Sequence, residues 1–156
     1  MSQLSPSLPA GCILRRASNQ DIWSIRFLVL GAALDPTQLH AEQFWLIESD
    51  SKIVACGQLR SFSGAQELGS LVVKKAWRNR GLGTLLTQHL IHEASQPLYL
   101  ECLGKNLREF YSRLGFVPVS LQEVPPSLKS KFALTQLGKT ILRIPVEIMQ
   151  YQKLLL

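Results

Sequence analysis

The stretch 67–86 constrains the fold of this chain more than any other part of the sequence. It begins with the apolar, β-branched run 68–73, continues through a basic turn and ends in a glycine pair that opens an amphipathic helix. A strand that leads through a glycine turn into a helix presents free amide N–H groups and the positive end of the helix dipole at one point. The arrangement therefore predicts an anion site, of the kind that binds phosphate, where the helix starts.

Two features distinguish this turn from an ordinary connection between a strand and a helix. Gly81 and Gly83 have no Cβ that would keep an anion away from the backbone. The turn also carries four cations within seven residues, which are Lys74, Lys75, Arg78 and Arg80. A purely structural turn needs none of this charge, so the cations favour a binding role.

Two other phosphate-binding patterns fit the stretch less well. A Walker loop requires Gly-Lys-Ser/Thr, whereas Gly83 is followed by Thr84 and Leu85. A Rossmann fingerprint requires a third small residue where Leu86 stands, and its first strand lies near the start of the chain. Both patterns are therefore weak interpretations of this stretch.

The turn resembles the signature of the GNAT superfamily of acyl-CoA-dependent N-acyltransferases, Arg/Gln-x-x-Gly-x-Gly/Ala. In this chain the signature reads Arg78-Asn79-Arg80-Gly81-Leu82-Gly83. A second family segment, Phe-Tyr-x-x-x-Gly-Phe, is matched by 110–116, and the resemblance covers about residues 13–119. It implies a GNAT-like α/β (α+β) fold, in which helices flank a mixed, mostly antiparallel central sheet. It also implies a splay between the central strand and the strand after the glycine-loop helix.

Local patterns divide the chain into strands and helices. Turn signals and alternation predict strands over 12–17, 44–48, 53–60, 68–73, 98–103, 116–119 and 144–151. Helical periodicity predicts helices from Ser18 or Asn19 to Leu34, from the glycine pair to before Pro97, over 107–114 and over 127–138. Because a helix connects the strands 68–73 and 98–103, we expect these two strands to be parallel.

Length and composition indicate one globular domain. A chain of 156 residues with 46% hydrophobic residues can bury a single core. We expect a flexible N-terminus over 1–12 and one acyltransferase-like domain over 13–156. The apolar run 27–34 is too short to span a bilayer and no secretory leader precedes it. The three cysteines lack disulfide or zinc spacing, which favours a cytoplasmic compartment and no metal site.

The net charge of +6 fits nucleic acid, an acidic membrane surface or an anionic ligand. Only the turn 74–80 concentrates this charge, which favours a local anion site over nucleic acid or membrane. A basic nucleic-acid-binding module is kept as the least favoured alternative. The apolar tail 154–156 can pack on its own sheet or on a second subunit, so a homodimer stays open.

The resemblance implies that acetyl-CoA is the cosubstrate and that a primary amine is the acceptor. The CoA pyrophosphate would lie at the helix start, and the pantetheine arm would contact the backbone of the central strand. The residues implied are Arg78, Asn79, Arg80, Gly81, Leu82, Gly83 and Thr84 for the pyrophosphate, and Leu71, Val72 and Val73 for the arm. Asn106 is a further cofactor candidate, although it stands four residues before Phe110 where many relatives have an asparagine six before.

Acetyl transfer to an amine needs a base and an acid. An amine attacks only in its neutral form, and an ammonium group has a pKa near about 10. The resemblance assigns the base to Glu67, acting through water, and the acid that protonates the leaving thiolate to Tyr111. The residues themselves also allow a solvated strand-end carboxylate and a core tyrosine. Cys102 is either a buried thiol or an acetyl carrier, and the lack of a neighbouring histidine favours the thiol.

We therefore expect an N-acetyltransferase that transfers the acetyl group directly in a ternary complex. The alternative from another class is a catalytically inactive regulatory or scaffold domain with the GNAT fold. The acceptor amine is not predicted by the sequence. A helix within 125–143 is an addition to the family pattern, and we expect it beside the acceptor entrance.

Overall fold

The structure is a computed structural model that describes residues 6–143 and 145–153. Its strands are Cys12–Arg16 (β1), Phe44–Ser49 (β2), Lys52–Phe62 (β3), Ala65–Val73 (β4), Leu98–Leu103 (β5), Phe116–Pro118 (β6) and Val146–Tyr151 (β7). Its α-helices are Ile22–Gly31 (α1), Leu82–Glu93 (α2), Lys105–Arg113 (α3) and Pro126–Leu142 (α4). Short 3-10 turns precede α1, β2 and α4 and follow β4.

The strands form a seven-stranded sheet of order β1-β2-β3-β4-β5-β7-β6. The pairs β1/β2, β2/β3, β5/β7 and β6/β7 are antiparallel, whereas β4 and β5 are parallel. The parallel pair is the one connected through α2, as a crossover helix requires. The predicted fold class, a mixed and mostly antiparallel sheet flanked by helices, is therefore confirmed.

The chain divides into two compact units, each with its own hydrophobic core. The first unit comprises Met1–Leu59 and Leu68–Glu93, and it is described from Pro6 onward. The second unit comprises Arg60–Glu67 and Ala94–Leu156, and it is described except for 144 and 154–156. The units share strands, since β3 and β4 each contribute residues to both.

The first unit has a core on each face of its strands. Successive side chains of a strand point to opposite faces, so β2 and β3 supply both cores. Leu46 and Cys56 pack in the cluster that contains the buried residues of α1. Ile47 and Ala55 pack in the cluster that contains the buried leucines of α2. Helices α1 and α2 therefore cover opposite faces of these strands.

The second unit has a core between its strands and α4. Tyr99 of β5 and Ile148 of β7 pack against Leu128 and Phe132 of α4. All four of these side chains are buried, and Leu128 and Phe132 are fully buried. Helix α4 is thus held on the sheet by an apolar stripe with a spacing of four residues.

Helix α1 is shorter than the sequence predicts. The apolar spacing predicts a helix from Ser18 or Asn19 to Leu34, but the α-helix spans Ile22–Gly31. A 3-10 turn precedes it, in which the Ser18 N–H donates to the Asp21 carboxylate over 2.7 Å. Ala33, with a left-handed φ of 56°, ends the helical backbone before Leu34. The apolar spacing continues beyond Ala33, so it predicts the end of the helix too late in the chain.

Helix α4 is longer than the predicted 127–138. Gly138 does not end it, and the helix stops at Arg143, which adopts a left-handed φ of 54°. The last strand begins at Val146, directly after Pro145, which has no N–H to pair. The predictions for residue 144, for the tail 154–156 and for the first five residues of the N-terminus lie outside the described residues.

Two helices keep apolar side chains at the surface. These side chains are Trp23, Phe27 and Leu30 in α1, and Leu134, Leu137, Ile141 and Leu142 in α4. In residues 6–143 and 145–153, no helix combines the length and the apolarity that crossing a bilayer requires.

Candidate active site

The glycine loop, residues 78–84, connects the end of β4 to the start of α2. Asn79 and Gly81 both adopt left-handed backbone conformations, with φ of 63° and 79°. Asparagine and glycine are the residues that tolerate this conformation best, and such a backbone turns successive N–H groups toward one point. A Cβ at Gly81 would also lie 3.0 Å from the Pro6 side chain, so Pro6 would have to shift by a few tenths of an ångström. The left-handed φ is therefore the main reason that position 81 favours glycine, and the contact with Pro6 adds to it.

Helix α2 begins at Leu82, directly after the left-handed Gly81. The first helical hydrogen bond joins the Leu85 N–H to the Gly81 carbonyl over 3.0 Å. The amide N–H groups of the first turn, which precede Leu85, have no partner within the helix. They point out of the N-terminal end of the helix. They supply the donors and the partial positive charge that an anion requires.

The cations of the loop are exposed, and two of them are held in place. The Arg78 Nε donates to the Val73 carbonyl over 3.1 Å. The Arg80 guanidinium stacks over the Trp77 ring, 4.6 Å from its centroid. Both contacts hold positive charge next to the loop, and both charges stay accessible to a ligand.

The side chains of the last residues of β4 pack in the hydrophobic cores. Val72 belongs to the core cluster of α1, while Leu71 and Val73 pack against the cluster of α2. A ligand would therefore meet these residues through their peptide groups. Just before them, Ser70 adopts a left-handed φ of 49° inside the strand, which interrupts the regular pleat of β4.

A buried polar network, which sequence reasoning did not predict, lies beside Ser70. The Ser70 hydroxyl donates to the Gln58 side-chain carbonyl over 3.1 Å. The Gln58 amide donates to the Gln38 carbonyl and to the Gln43 side chain, each over 2.8 Å. Gln58 is fully buried, so these bonds offset the cost of burying its amide.

In the second unit, Glu67 is buried in a cluster of charges. Its Oε1 contacts both the Arg60 guanidinium and the Lys131 ammonium. Glu67 and Arg60 are 3% and 7% exposed, which makes this carboxylate far less solvated than a strand-end residue. We call Arg60, Glu67, Lys131 and the neighbouring Glu101 the charge cluster.

Glu101 of β5 is the second carboxyl group of the charge cluster. Its Oε2 lies 3.5 Å from the Nε2 of Gln136 in α4. Burial raises the pKa of Glu101 to about 7, and the charge of Glu67 contributes in the same direction. This group therefore exchanges a proton near neutral pH.

Tyr111 lies in an aromatic group at the end of α3. It is 6% exposed and makes edge contacts with Phe110 and Phe116, at ring distances of 5.0 and 5.6 Å. Burial, assisted by the nearby Cys102, raises the pKa of its hydroxyl far above the ordinary value. Burial also raises the pKa of the Cys102 thiol to about 11, so this sulfur is not a thiolate at neutral pH.

Asn106 lies in the first turn of α3 and is exposed. A surface depression of about 370 Å³ lies on the same helix. Its lining is formed by Lys105, Arg108, Glu109, Ser112 and Arg113. Neither Asn106 nor Tyr111 is among these lining residues. In the described part of the chain, no three His, Cys, Asp or Glu side chains come together as metal ligands do.

The predicted site residues therefore fall into two groups. The loop residues and the end of β4 come together in the first unit, while Glu67 and Tyr111 belong to the second. Sequence reasoning missed Arg60, Glu101 and Lys131. A signal was present, since Glu101 alternates with buried residues in a strand and Lys131 stands three residues after the buried Leu128.

Comparisons with known proteins agree with this geometry. Residues 40–118 match the family described as the acetyltransferase (GNAT) domain, and this range contains both the glycine loop and the segment 110–116. The chain therefore belongs to the family of the acetyltransferase (GNAT) domain.

An amino-acid acetyltransferase from Shewanella oneidensis is 29% identical to this chain over 132 residues. The match covers 76% of this chain and 30% of that protein. The chain thus spans less than a third of the length of this curated relative.

Two solved structures share the fold. One is the N-acetylglutamate synthase from Neisseria gonorrhoeae, complexed with coenzyme A and N-acetyl-glutamate, with a TM-score of 0.74 and 21% identity. The match covers 94% of this chain and 37% of the synthase chain. The other is Rv2747 from Mycobacterium tuberculosis, in complex with CoA, with a TM-score of 0.74 and 22% identity. The match covers 91% of this chain and 99% of the Rv2747 chain. At these identities the similarity extends to the fold alone.

Proposed function

We propose that this chain transfers an acetyl group from acetyl-CoA to a primary amine, directly in a ternary complex. The observation that carries the proposal is the glycine loop, in which two left-handed residues lead into the free amide groups of α2 between exposed cations. This is the arrangement that a pyrophosphate requires. The membership of the GNAT family supports the identification of that pyrophosphate with the one in acetyl-CoA.

Each part of the first unit then has a defined task. The amides of the first turn of α2, from Leu82 to Thr84, donate to the pyrophosphate, and Arg78 and Arg80 neutralise its charge. Peptide groups of Leu71–Val73 hold the pantetheine arm, and one N–H polarises the thioester carbonyl as charge develops on its oxygen. The left-handed Ser70 is a local cause for the predicted splay, because a bulge bends the strand that contains it.

Tyr111 supplies the proton that the leaving sulfur needs. Burial raises the pKa of this hydroxyl and makes it a weaker acid than an ordinary phenol, so the role is supported by the match of residues 110–116 to the family segment and not by the pKa. The raised pKa of Cys102 argues against an acetylated cysteine, since a thiol is a much weaker nucleophile than a thiolate. Direct transfer therefore fits these two groups better than transfer through a covalent intermediate.

We further propose that the acceptor is the α-amine of an amino acid. The support is the similarity to an amino-acid acetyltransferase and to a synthase crystallised with N-acetyl-glutamate. An acceptor panel should start with L-glutamate and continue through the other amino acids, polyamines and lysine peptides. Release of free CoA thiol measures turnover on each of them.

Calorimetric titration of acetyl-CoA into the parent and into Gly81→Asp tests the binding step. The substitution introduces a negative charge beside the amide groups of the loop and strains its left-handed backbone, so we expect binding by the parent and none by the variant. Gly11→Asp is the matched control, because Gly11 has the same left-handed φ of 79° with open space around it. Equal binding by the parent and Gly81→Asp would contradict the proposal. Binding without turnover on any amine would favour the catalytically inactive domain instead.

A further inference from the structure

Two residues of the first unit with a left-handed backbone are bonded to the same buried side chain. Gln38, in the segment before β2, has a φ of 58°, and Ser70, inside β4, has a φ of 49°. The side chain of Gln58 in β3 donates to the Gln38 carbonyl over 2.8 Å and accepts from the Ser70 hydroxyl over 3.1 Å. A residue other than glycine keeps this conformation only where the surrounding structure holds it. Gln58 therefore supports the backbone at both places.

The amide of Gln58 is itself fixed in position. Its side chain is fully buried, and it donates a second hydrogen bond to the Gln43 side chain over 2.8 Å. Both amide protons and the amide oxygen are thus bonded within the protein, as a buried amide requires. A buried polar group with these bonds made is rigid. The Ser70 hydroxyl therefore meets an acceptor that has one defined place.

Strand β3 contacts Ser70 at two different atoms. The Cys56 Sγ donates to the Ser70 carbonyl over 3.5 Å, while Gln58 accepts from the Ser70 hydroxyl. Side chains two apart on a strand share a face, so Cys56 and Gln58 reach Ser70 from the same side. A thiol is a weak donor, and the bond to Gln58 is accordingly the stronger of the two. Gln58 is the main support of the left-handed backbone at Ser70.

The left-handed Ser70 directly precedes the segment Leu71–Val73, whose peptide groups hold the pantetheine arm in the proposed function. An irregular residue interrupts the regular direction of the peptide groups along a strand and re-aims those that follow. The other end of the segment is joined to the glycine loop, because the Arg78 Nε donates to the Val73 carbonyl over 3.1 Å. The direction of these peptide groups thus depends on Ser70 at one end and on the loop at the other.

We propose that Gln58 is a positioning residue for acetyl transfer, which acts through Ser70 to aim the strand N–H that polarises the thioester carbonyl. This inference rests on the proposed function and adds a residue to it. Gln58 gives or takes no proton in the reaction, since its polar atoms are bonded within the protein. Its task is to keep one donor directed at the oxygen on which charge develops.

The aimed N–H acts on one stage of the transfer. As the neutral acceptor nitrogen forms its bond to the carbonyl carbon, one electron pair of the carbonyl moves onto the oxygen. The pair returns when the C–S bond breaks and the sulfur leaves with the electrons of that bond. The nitrogen loses one proton and the sulfur gains one, so the products are an amide and a thiol. The N–H stabilises the charge on oxygen between these two events.

Gln58→Leu tests the inference with a side chain that makes no hydrogen bond. Loss of one donor to such an oxygen lowers kcat by about 100-fold or more, and a misdirected donor loses part of this, so we expect a fall of about 30-fold. The Kd of acetyl-CoA should stay within about threefold, since the pyrophosphate binds at the glycine loop. Release of CoA thiol and calorimetry measure the two quantities.

Gln66→Leu is the matched control, because Gln66 is a second buried glutamine with three hydrogen bonds. Its amide donates to the Ser61 hydroxyl over 3.2 Å. Its side-chain carbonyl accepts from the N–H groups of Ser95 and Gln96 over 2.8 and 3.0 Å. All of these residues belong to the second unit. The two variants should lose similar stability in urea, whereas Gln66→Leu should keep the parental kcat.

A double-mutant cycle separates positioning from a general loss of stability. Glycine adopts a left-handed φ at little cost, so Ser70→Gly keeps the backbone conformation without help from Gln58. In the Ser70→Gly background, the effect of Gln58→Leu on kcat should therefore shrink to about twofold. Ser70→Ala breaks the same bond and leaves the buried glutamine in place. It should lower kcat about 10-fold, and it serves as the test where Gln58→Leu does not fold.

Amide NMR supplies a readout that needs no acceptor. Acetyl-CoA should shift the amide resonances of Leu71–Val73 and of Leu82–Thr84 in the parent. In Gln58→Leu the shifts of the strand segment should be lost, because its peptide groups no longer point at the pantetheine arm. The shifts of the loop residues should remain.

The outcomes are distinguishable. A Gln58→Leu protein with the parental kcat and the parental shifts of the strand segment would overturn the inference and leave the proposed function standing. An equal loss of kcat in Gln66→Leu would do the same, and so would an undiminished effect of Gln58→Leu in the Ser70→Gly background. A parent that neither binds acetyl-CoA nor acetylates any amine would overturn the proposed function, and this inference with it.

Discussion

The glycine loop and the charge cluster are built in opposite ways. The loop is one run of seven consecutive residues, and each is placed by its neighbours through left-handed turns and a helix start. The charge cluster collects its side chains from β3, β4, β5 and α4, which are far apart in the sequence. The comparison teaches that a change in the loop should affect binding more than folding. A change in the cluster should affect folding more than binding, because its ion pairs are buried.

The largest effect on folding is expected from Glu67→Ala. It leaves two largely buried cations without their shared carboxylate, and breaking a buried ion pair from one side costs about 3–5 kcal/mol. Urea unfolding measures the loss. Glu109→Ala is the control, since its ion pair with Lys105 is exposed and should cost less than about 1 kcal/mol. A Glu67→Ala protein as stable as the control would mean that the cluster does not organise the second unit.

Tyr111→Phe separates the binding of acetyl-CoA from the catalytic step. Without the hydroxyl, the leaving sulfur has no positioned acid, so kcat should fall about 100-fold while the Kd of acetyl-CoA stays the same. Steady-state kinetics and calorimetry measure the two quantities. Tyr151→Phe, in the same aromatic group, is the matched control and should keep the parental kcat. An unchanged kcat in Tyr111→Phe would show that Tyr111 packs in the core and has no catalytic role.

Glu101→Gln should change stability in a direction set by pH. The pKa of Glu101 is raised in the folded protein, so ionisation costs stability as pH rises from the unfolded value of about 4.3 toward the folded value near 7. The variant should match the parent at about pH 4 and be more stable than the parent above neutral pH, because the amide carries no charge to bury. Thermal unfolding at both pH values measures this. A variant less stable than the parent above neutral pH would show that Glu101 has a direct ionic partner.

The smallest effect concerns the support of the glycine loop. A Cβ at Gly57 would come within 2.9 Å of the Leu90 side chain of α2, so Gly57→Ala should cost about 1 kcal/mol. Gly31→Ala meets open space at the end of a helix and should be neutral or slightly stabilising. Chemical unfolding compares the two. Equal stability would show that α2 is positioned by its local sequence alone.

The sequence predicts the fold well because its strongest signals are local. The alternation in β2 and β3, the crossover through α2 and the two family segments lie within short stretches, and the structure and the comparisons agree with them. Helix α1 was extended too far because an apolar spacing does not reveal the left-handed Ala33. These errors concern where an element ends and not which element forms.

The charge cluster was beyond local reasoning for a physical reason. Lys131 reaches Glu67 across 64 positions of sequence, and only the packing of α4 on the sheet brings them together. Glu67 was therefore expected to be either solvated or catalytic, and its burial between two cations was not foreseen. The raised pKa of Glu101 has the same origin, because desolvation depends on which helix covers the strand.

The most direct test compares acetyl-CoA binding and turnover in Gly81→Asp and Tyr111→Phe, side by side with the parent. We predict that Gly81→Asp loses binding of acetyl-CoA and still folds, with its stability lowered by about 1–2 kcal/mol because aspartate replaces glycine at a left-handed φ. We predict that Tyr111→Phe keeps binding and loses turnover. Unchanged binding in Gly81→Asp would contradict the assignment of the glycine loop as the acetyl-CoA site, and with it the division of tasks between the two regions.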